Sequence, residues 1–364
     1  MHRRRVVVTG IGALTPIGNT KDAFWNGLVS GTSGAAPITY FDASKFKTQF
    51  ACEIKDFDAQ EHFDRKGARK MDRFTQYAMV ASDEAVHDAG LDLEKIDKAR
   101  VGVIWGSGIG GLETFQNEVL GFASGNGTPR FNPFMIPKMI PDIAPGIISI
   151  RNGFRGPNFA TVSACASSAN ALIDGLNYIR LGHADVIVSG GSEAGVSISG
   201  IGGFNALHAL STRNEDPKTA SRPFDKDRDG FVMGEAAGIL VLEELEHAKA
   251  RGAKIYCELV GCGASADAHH ITAPHPEGLG ARNVMIAALQ DANMQPEEID
   301  YINTHGTSTP VGDITELKAT IADLKVSKEK EDKDSYKSEY LGLLEEYQNK
   351  KLGTKLATKY EIYE

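Results

Sequence analysis

Apolar residues along this chain change their period in a recurring order. Val6–Thr9 is a continuous apolar run, the pattern of a strand covered on both faces, and Val101–Trp105 is a second. Between them Met71, Phe74, Ala78, Ala81 and Ala85 recur at helical spacing, and Gly90 stands where that helix should stop. Further on, Glu258–Val260, a helix over roughly 281–292 and Ile299–Asn303 repeat the order strand, helix, strand. The runs DVIVSGG (185–191) and GILVLEEL (238–245) predict two more strands buried on both faces, so a layered α/β architecture is expected.

The two strand-helix-strand sets also match residue by residue. Gly10, Gly12 and Ala13 in VVVTGIGALTP return 251 residues later as Gly261, Gly263 and Ala264 in ELVGCGASAD. Asp88, Ala89, Ile96 and Asp97 return 203 residues later as Asp291, Ala292, Ile299 and Asp300. Two echoes in one order imply a duplicated α/β unit, with 48 extra residues in the first copy between its strand and its helix. After Ile302 only 62 residues remain, and 18 of the 40 residues in 325–364 are charged, which predicts a solvated helix or tail. The second half is therefore expected to be incomplete: domains at 1–252 and 253–320, then an atypical charged tail at 321–364.

Composition narrows the function classes. With 39 Lys and Arg against 48 acidic residues the net charge is −9, which argues against a nucleic-acid footprint. The apolar run after MHRRR is too short for a secretion signal, and no run approaches the ~20 residues of a membrane span. A cytoplasmic protein is expected. Four cysteines in 364 residues make no disulfide framework, so reduced and mostly buried thiols are expected.

The chemistry concentrates in two stretches. In TVSACASSAN (161–170), Ser163 reads as an N-cap and Cys165 as a first-turn residue, with Ala169, Leu172, Ile173, Leu176 and Ile179 on one face of the helix that follows and Gly182 ending it. A helix start stabilises a thiolate, and small neighbours admit a bulky thioester. A structural cysteine beside tight helix packing fits the same letters. In THGTSTPVGD (304–313), His305 follows a predicted strand, where open α/β sheets place their sites; it reads as a donor or base, or as an exposed turn residue.

Other motifs carry less. FDKDRDG (224–230) imitates a calcium loop, but Ala236 stands at its twelfth position, so a structural loop is expected. Gly10 and Gly12 lack the third glycine of a dinucleotide fingerprint. His269, His270 and His275 have no spacing that specifies a metal, and none is expected.

Taken in order, TVSACASSA, SRPFDKDRDGFVMGEAAG and INTHGTSTPVGD resemble the β-ketoacyl-acyl-carrier-protein synthases of type II fatty acid synthesis, over residues 3 to about 320. The resemblance implies the thiolase-like fold, duplicated α/β/α/β/α layers, and a decarboxylative Claisen condensation of malonyl carrier protein with an acyl group held on Cys165. It gives His305 the enolate-stabilising role, Thr307 and Thr309 the pantetheine arm, and Ile109 in GSGIGGL the gate of the acyl pocket. Phe134 would close that pocket from the partner subunit of a homodimer. It implies acyl carrier protein as partner and no resident cofactor, the acyl groups riding on the carrier's phosphopantetheine. A thiolase fits THGTST less well. The family continues with a Lys-Ser-x-x-Gly-His segment and a Gly-Phe-Gly-Gly loop; here His305 is the last histidine, and only Gly342 and Gly353 follow Gly312. The alternative expectation is thus a truncated homologue that at most accepts an acyl group or binds carrier protein.

Overall fold

In the computed structural model, which describes residues 3–326, the first apolar run extends to β1 (Val6–Leu14) because it has partners on both sides. The other strands are β2 (Ala36–Pro37), β3 (Phe50–Ala51), β4 (Val101–Gly106), β5 (Asn158–Thr161), β6 (Val186–Ala194), β7 (Glu235–Glu244) and β8 (Cys257–Glu258). Six of them form one mixed sheet in the order β5-β4-β6-β7-β1-β8, and β2 pairs with β3. β4 runs parallel to β5 and β6; β7 is antiparallel to β6 and β1, and β8 to β1.

The chain forms two compact units. The first holds residues up to 45, 50–203 and 233–259, including the whole sheet; the second holds 46–49, 204–232 and the chain from 260. The charged segment expected beyond 320 falls outside the described residues from 327 onward.

The expected layering follows from what each strand face buries. Helix Arg73–Asp88 turns Phe74, Ala78, Ala81 and Ala85 inward, where they join Val101, Val103 and Trp105 of β4, Val186 and Val188 of β6, and Ile239 and Val241 of β7. Ile187 alternates to the other face of β6. There a Cβ at Gly175 of helix Ser167–Arg180 would lie 3.1 Å from both Ile187 and Leu242. Side chains as large as Val, Leu and Phe each gain about 1.5–3 kcal/mol from full burial, which is why β6 reads as one unbroken apolar run.

The duplication appears in atomic detail. In the first copy a Cβ at Gly10 would meet the Ala85 carbonyl oxygen at 2.3 Å, and one at Gly12 the Ala81 carbonyl oxygen at 1.9 Å; the Ile11 N–H donates to Asp88 Oδ2 at 2.9 Å. In the second, Gly261 and Gly263 stand 2.6 and 2.2 Å from the carbonyl oxygens of Ala288 and Val284 by the same measure, and the Cys262 N–H donates to Asp291 Oδ2 at 3.0 Å. The paired glycines let helices Arg73–Asp88 and Leu279–Ala292 press onto backbone.

Two expectations for the second copy are corrected. Its opening strand is only β8, which pairs with Val7 and Val8 of β1, and Ile299–Asn303 forms no strand. A strand exists by pairing, and among the described residues no neighbouring strand runs beside 299–303.

Candidate active site

In the first unit, Cys165 lies in a single 3-10 turn, Ala164–Ala166, between β5 and the helix that begins at Ser167. Its residue is exposed, and Ala164 before it holds φ at +51°, a conformation that costs a non-glycine residue about 1–3 kcal/mol. The turn is over-determined by small polar side chains. Ser167 Oγ donates to the Ala164 carbonyl at 2.7 Å and accepts from the Ser163 N–H at 2.9 Å; Thr161 Oγ1 donates to the Ser167 carbonyl at 2.8 Å; Asn170 Nδ2 donates to Ser163 Oγ at 2.6 Å. Ser163 is thus no helix N-cap, and Cys165 precedes the helix by one turn. The reason is that Ser167 and Asn170 take the bonds a cap would make.

The small residues around Cys165 also have a packing reason. A Cβ at Gly106 of β4 would lie 2.4 Å from the Ser168 N, so the helix start abuts the sheet backbone. The buried stripe of this helix is Ser167, Ala171, Gly175, Leu176 and Ile179; Ala169 is exposed and Leu172 and Ile173 are half-buried, so the expected stripe was rotated. The expectation of mostly buried thiols is likewise corrected: Cys165 and Cys257 are exposed, Cys52 and Cys262 half-buried. Burial pushes the Cys52 thiol up to about 11, leaving it protonated.

Ile109, 41% exposed, lies in the loop that leaves β4. That loop borders the cysteine turn, because a Cβ on Gly108 would lie 3.3 Å from the Ala164 carbonyl oxygen. It also meets the segment after Phe134: the Gly111 N–H donates to the Met139 carbonyl at 3.0 Å, at the end of helix Met135–Met139. Phe134 is exposed, with the Lys70 ammonium 5.3 Å from its ring centre. The first unit therefore gathers Cys165, Ile109 and the Phe134 helix around one loop. Sequence reading missed what anchors that loop, the Glu193 carboxylate at the end of β6.

His305, Thr307 and Thr309 belong to the second unit. His305 is exposed, and its N–H and that of Gly306 donate to the two carboxylate oxygens of Glu316. Thr307 and Thr309 bring their hydroxyl oxygens to 3.0 Å of each other. Between them Ser308 is buried with φ at +62°, its Oγ accepting from the Arg222 N–H at 3.1 Å and its carbonyl from the Gly230 N–H at 3.1 Å.

The FDKDRDG loop is the scaffold of this segment. Buried Arg228 donates to the carbonyls of Thr309 at 3.0 Å and Pro310 at 2.7 Å and pairs with Asp313 at 2.9 Å. Asp313 also accepts from the N–H groups of Phe224 at 2.8 Å and Thr309 at 3.3 Å. Burial pushes its carboxyl above the usual value despite those N–H groups and Arg228. From the loop that imitated a calcium site, Arg228 and the Gly230 N–H hold the segment 308–310, while Asp229 accepts from the Ser211 hydroxyl and the Thr212 N–H. Arg228 and Asp313 carried no sequence signal beyond lying in the two quoted motifs.

His269 and His275 meet edge to face, with ring centres 5.2 Å apart. Among the described residues no group of three or more His, Cys, Asp or Glu is arranged to hold a metal.

Comparison with known proteins places this geometry. The family models for the beta-ketoacyl synthase N-terminal and C-terminal domains match residues 3–248 and 256–338. The chain is 50% identical over 319 residues to 3-oxoacyl-[acyl-carrier-protein] synthase 2 of Synechocystis sp., covering 88% of this chain and 76% of that protein. A beta-ketoacyl synthase structure from Burkholderia phymatum superposes with a TM-score of 0.81 at 36% identity, covering 88% of this chain and 78% of that one. A type II polyketide ketosynthase solved in complex with its acyl-carrier protein superposes with a TM-score of 0.77 at 32% identity, covering 89% and 78%.

Proposed function

The chain belongs to the beta-ketoacyl synthase family, and on that premise we propose how its residues carry the reaction of a 3-oxoacyl-[acyl-carrier-protein] synthase. It is a condensing acyltransferase of fatty acid biosynthesis with the thiolase-like α/β fold. Cys165 is the acyl acceptor, and one observation carries this: an exposed thiol presented on a strained turn that four side-chain bonds hold in place.

In the first stage the Cys165 thiolate attacks the acyl thioester on the phosphopantetheine of the carrier protein. The new S–C bond forms as the old one breaks, and the pantetheine sulfur leaves as a thiolate that takes up the proton Cys165 gave. In the second stage malonyl carrier protein loses carbon dioxide, and the electron pair of the broken C–C bond becomes an enolate, whose oxygen accepts a hydrogen bond from His305. That carbon attacks the acyl carbonyl, the backbone N–H of Cys165 serves the oxyanion, and the Cys165 thiolate departs. Thr307 and Thr309 bind the pantetheine arm. No step calls on a resident cofactor.

For partners, we assign acyl carrier protein, as in the polyketide ketosynthase complex, and a second copy of the chain. On helix Leu112–Ala123 the residues Phe115, Val119 and Phe122 form an exposed apolar stripe, and Phe122 packs its ring 5.5 Å from Phe131. We assign that stripe to the contact with the second copy, and Phe134 to closing its neighbour's acyl pocket. Sedimentation of the purified chain should give twice the chain mass; a monomer removes Phe134 from the site. No described helix is long and apolar enough to cross a membrane, and we place the enzyme in the cytoplasm, to be checked by fractionation.

The test of the central reading is intact mass spectrometry after incubation with an acyl-carrier-protein thioester. A gain of one acyl group in the parent chain and none in Cys165→Ala is the expected result; equal labelling of both would remove Cys165 from its role. Adding malonyl carrier protein then separates a second reading, acyl acceptance without condensation. That reading is favoured by the segment before His305, which forms no strand and leaves the backbone of His305 and Gly306 on Glu316. Appearance of the 3-oxoacyl product excludes it.

A further inference from the structure

Glu193 ends β6 pointing at four donors in consecutive residues. Its Oε2 accepts from the N–H groups of Gly108 at 2.7 Å and Ile109 at 2.9 Å, and its Oε1 from the Gly110 N–H at 3.2 Å and the Ser107 hydroxyl at 3.4 Å. Successive N–H groups turned to one side make a concavity with partial positive charge, the kind of place that holds an anion. Here the chain fills it with its own carboxylate. Burial pushes that carboxyl above its usual value, and the N–H groups of Ile109, Gly108 and Gly110 pull it back.

The loop so held also borders the cysteine turn. A Cβ at Gly108 would lie 3.2 Å from Glu193 Oε2 and 3.3 Å from the Ala164 carbonyl oxygen, so Gly108 adjoins both the carboxylate and the turn that carries Cys165. At the next residue Gly111 is tied to Met139. Ile109 thus sits among three consecutive N–H groups held by one side chain, between backbone bonds at Ser107 and Gly111, and a shift of that backbone moves Ile109 relative to the thiol.

We propose that Glu193 is a positioning residue for acyl selection: its carboxylate fixes the Ser107–Gly110 loop and so sets where Ile109 bounds the acyl chain delivered to Cys165. The inference rests on the reading of Cys165 as acyl acceptor and Ile109 as the pocket's gate. Only a carboxylate suits the position. A glutamine offers one acceptor oxygen, and its amide nitrogen would present donors to an N–H, leaving one side of the loop unheld.

The experiment compares the full-length chain, Glu193→Gln, Ile109→Ala and the double variant. Cys165 acylation rates are read by intact mass with butyryl- and with dodecanoyl-acyl carrier protein, and alkylation of the thiol by iodoacetamide serves as a length-blind reference. Expected is a change of about fivefold or more in the ratio of the two acylation rates in Glu193→Gln, with the alkylation rate kept within about twofold. The double variant should show no more than Ile109→Ala alone, since both changes act on one gate. If Glu193→Gln does not fold, Glu193→Asp, which keeps both oxygens one methylene short, should show the same ratio change. Acylation that falls equally for both chain lengths overturns this proposal alone. No acylation of the parent chain by either thioester overturns the acyl-acceptor reading and this proposal with it.

Discussion

The two copies of the duplicated unit make the same helix-to-backbone contact, yet only one of them makes it onto a strand. Around β1, Gly10 and Gly12 press against Ala81, Ala85 and Ala89, and around 261–263 the equivalent glycines press against Val284, Ala288 and Ala292. Asp88 and Asp291 accept from the equivalent backbone N–H groups. β1, however, is hydrogen-bonded to β7 along eight register pairs and to β8, whereas no described strand covers 260–264. Small residues at fixed spacing write the helix contact locally; a strand needs a ladder, and the ladder belongs to its neighbours.

The largest effect should therefore come from Gly12→Ala. Its Cβ would stand 1.9 Å from a backbone oxygen, and β1 cannot retreat while β7 holds it. We expect a loss of about 4 kcal/mol or failure to fold, at the severe end of overpacking. Both tryptophans, Trp25 and buried Trp105, lie in the first unit, so urea titration followed by their fluorescence reports it. A loss below about 1 kcal/mol would show that the ladder does not immobilise β1.

The same sheet carries a pH-dependent cost that should appear in the first unit alone. Glu235 opens β7 and is 1% exposed, with Tyr40 Oη at 3.0 Å, Tyr77 Oη at 3.3 Å and Arg73 Nη1 at 3.2 Å, and with Glu53 adding like charge. Burial pushes its carboxyl up to about 7, against the pull of Arg73 and the two tyrosine hydroxyls. A carboxyl raised on folding leaves the folded state binding more protons, so its contribution is favourable below the unfolded value of 4.5 and is lost as pH rises through about 7. Between pH 5 and pH 8 the parent chain should lose roughly 3 kcal/mol relative to Glu235→Gln. Parallel stability curves for the two chains would place the ionised carboxylate at no cost beside Arg73.

What the sequence disclosed follows the same division between local and non-local physics. The 73–88 helix, β4, β6 and β7 each depend on spacing within a few residues, and all are present in the structure. The segment Ile299–Asn303 has a strand's letters without a strand's neighbours, which no local pattern records. Ser163 lost its capping role to Ser167 and Asn170, residues that looked like mere small spacers. Glu193 was invisible because the residues it holds lie some 84 positions earlier in the chain. Arg228 and Asp313 were hidden by the calcium-like letters around one of them, although their contacts with Thr309 join the two motifs.

The smallest expected effect bears most directly on the comparison. Gly263→Ala places a Cβ 2.2 Å from the Val284 carbonyl oxygen, nearly the clash of Gly12→Ala. If the ladder is what makes the first clash costly, the backbone at 261–263 can move away from the helix, weakening the Cys262 N–H and Sγ bonds to Asp291. The cost should stay near 1 kcal/mol, about one hydrogen bond, and hydrogen exchange of the Leu279–Ala292 amides should quicken by no more than about fivefold. The tryptophan-detected unfolding of the first unit should not move. A cost equal to that of Gly12→Ala would mean that 261–263 is held as firmly as β1 by the helix contact alone, and the distinction between the two copies would then lie in hydrogen-bond pattern and not in rigidity.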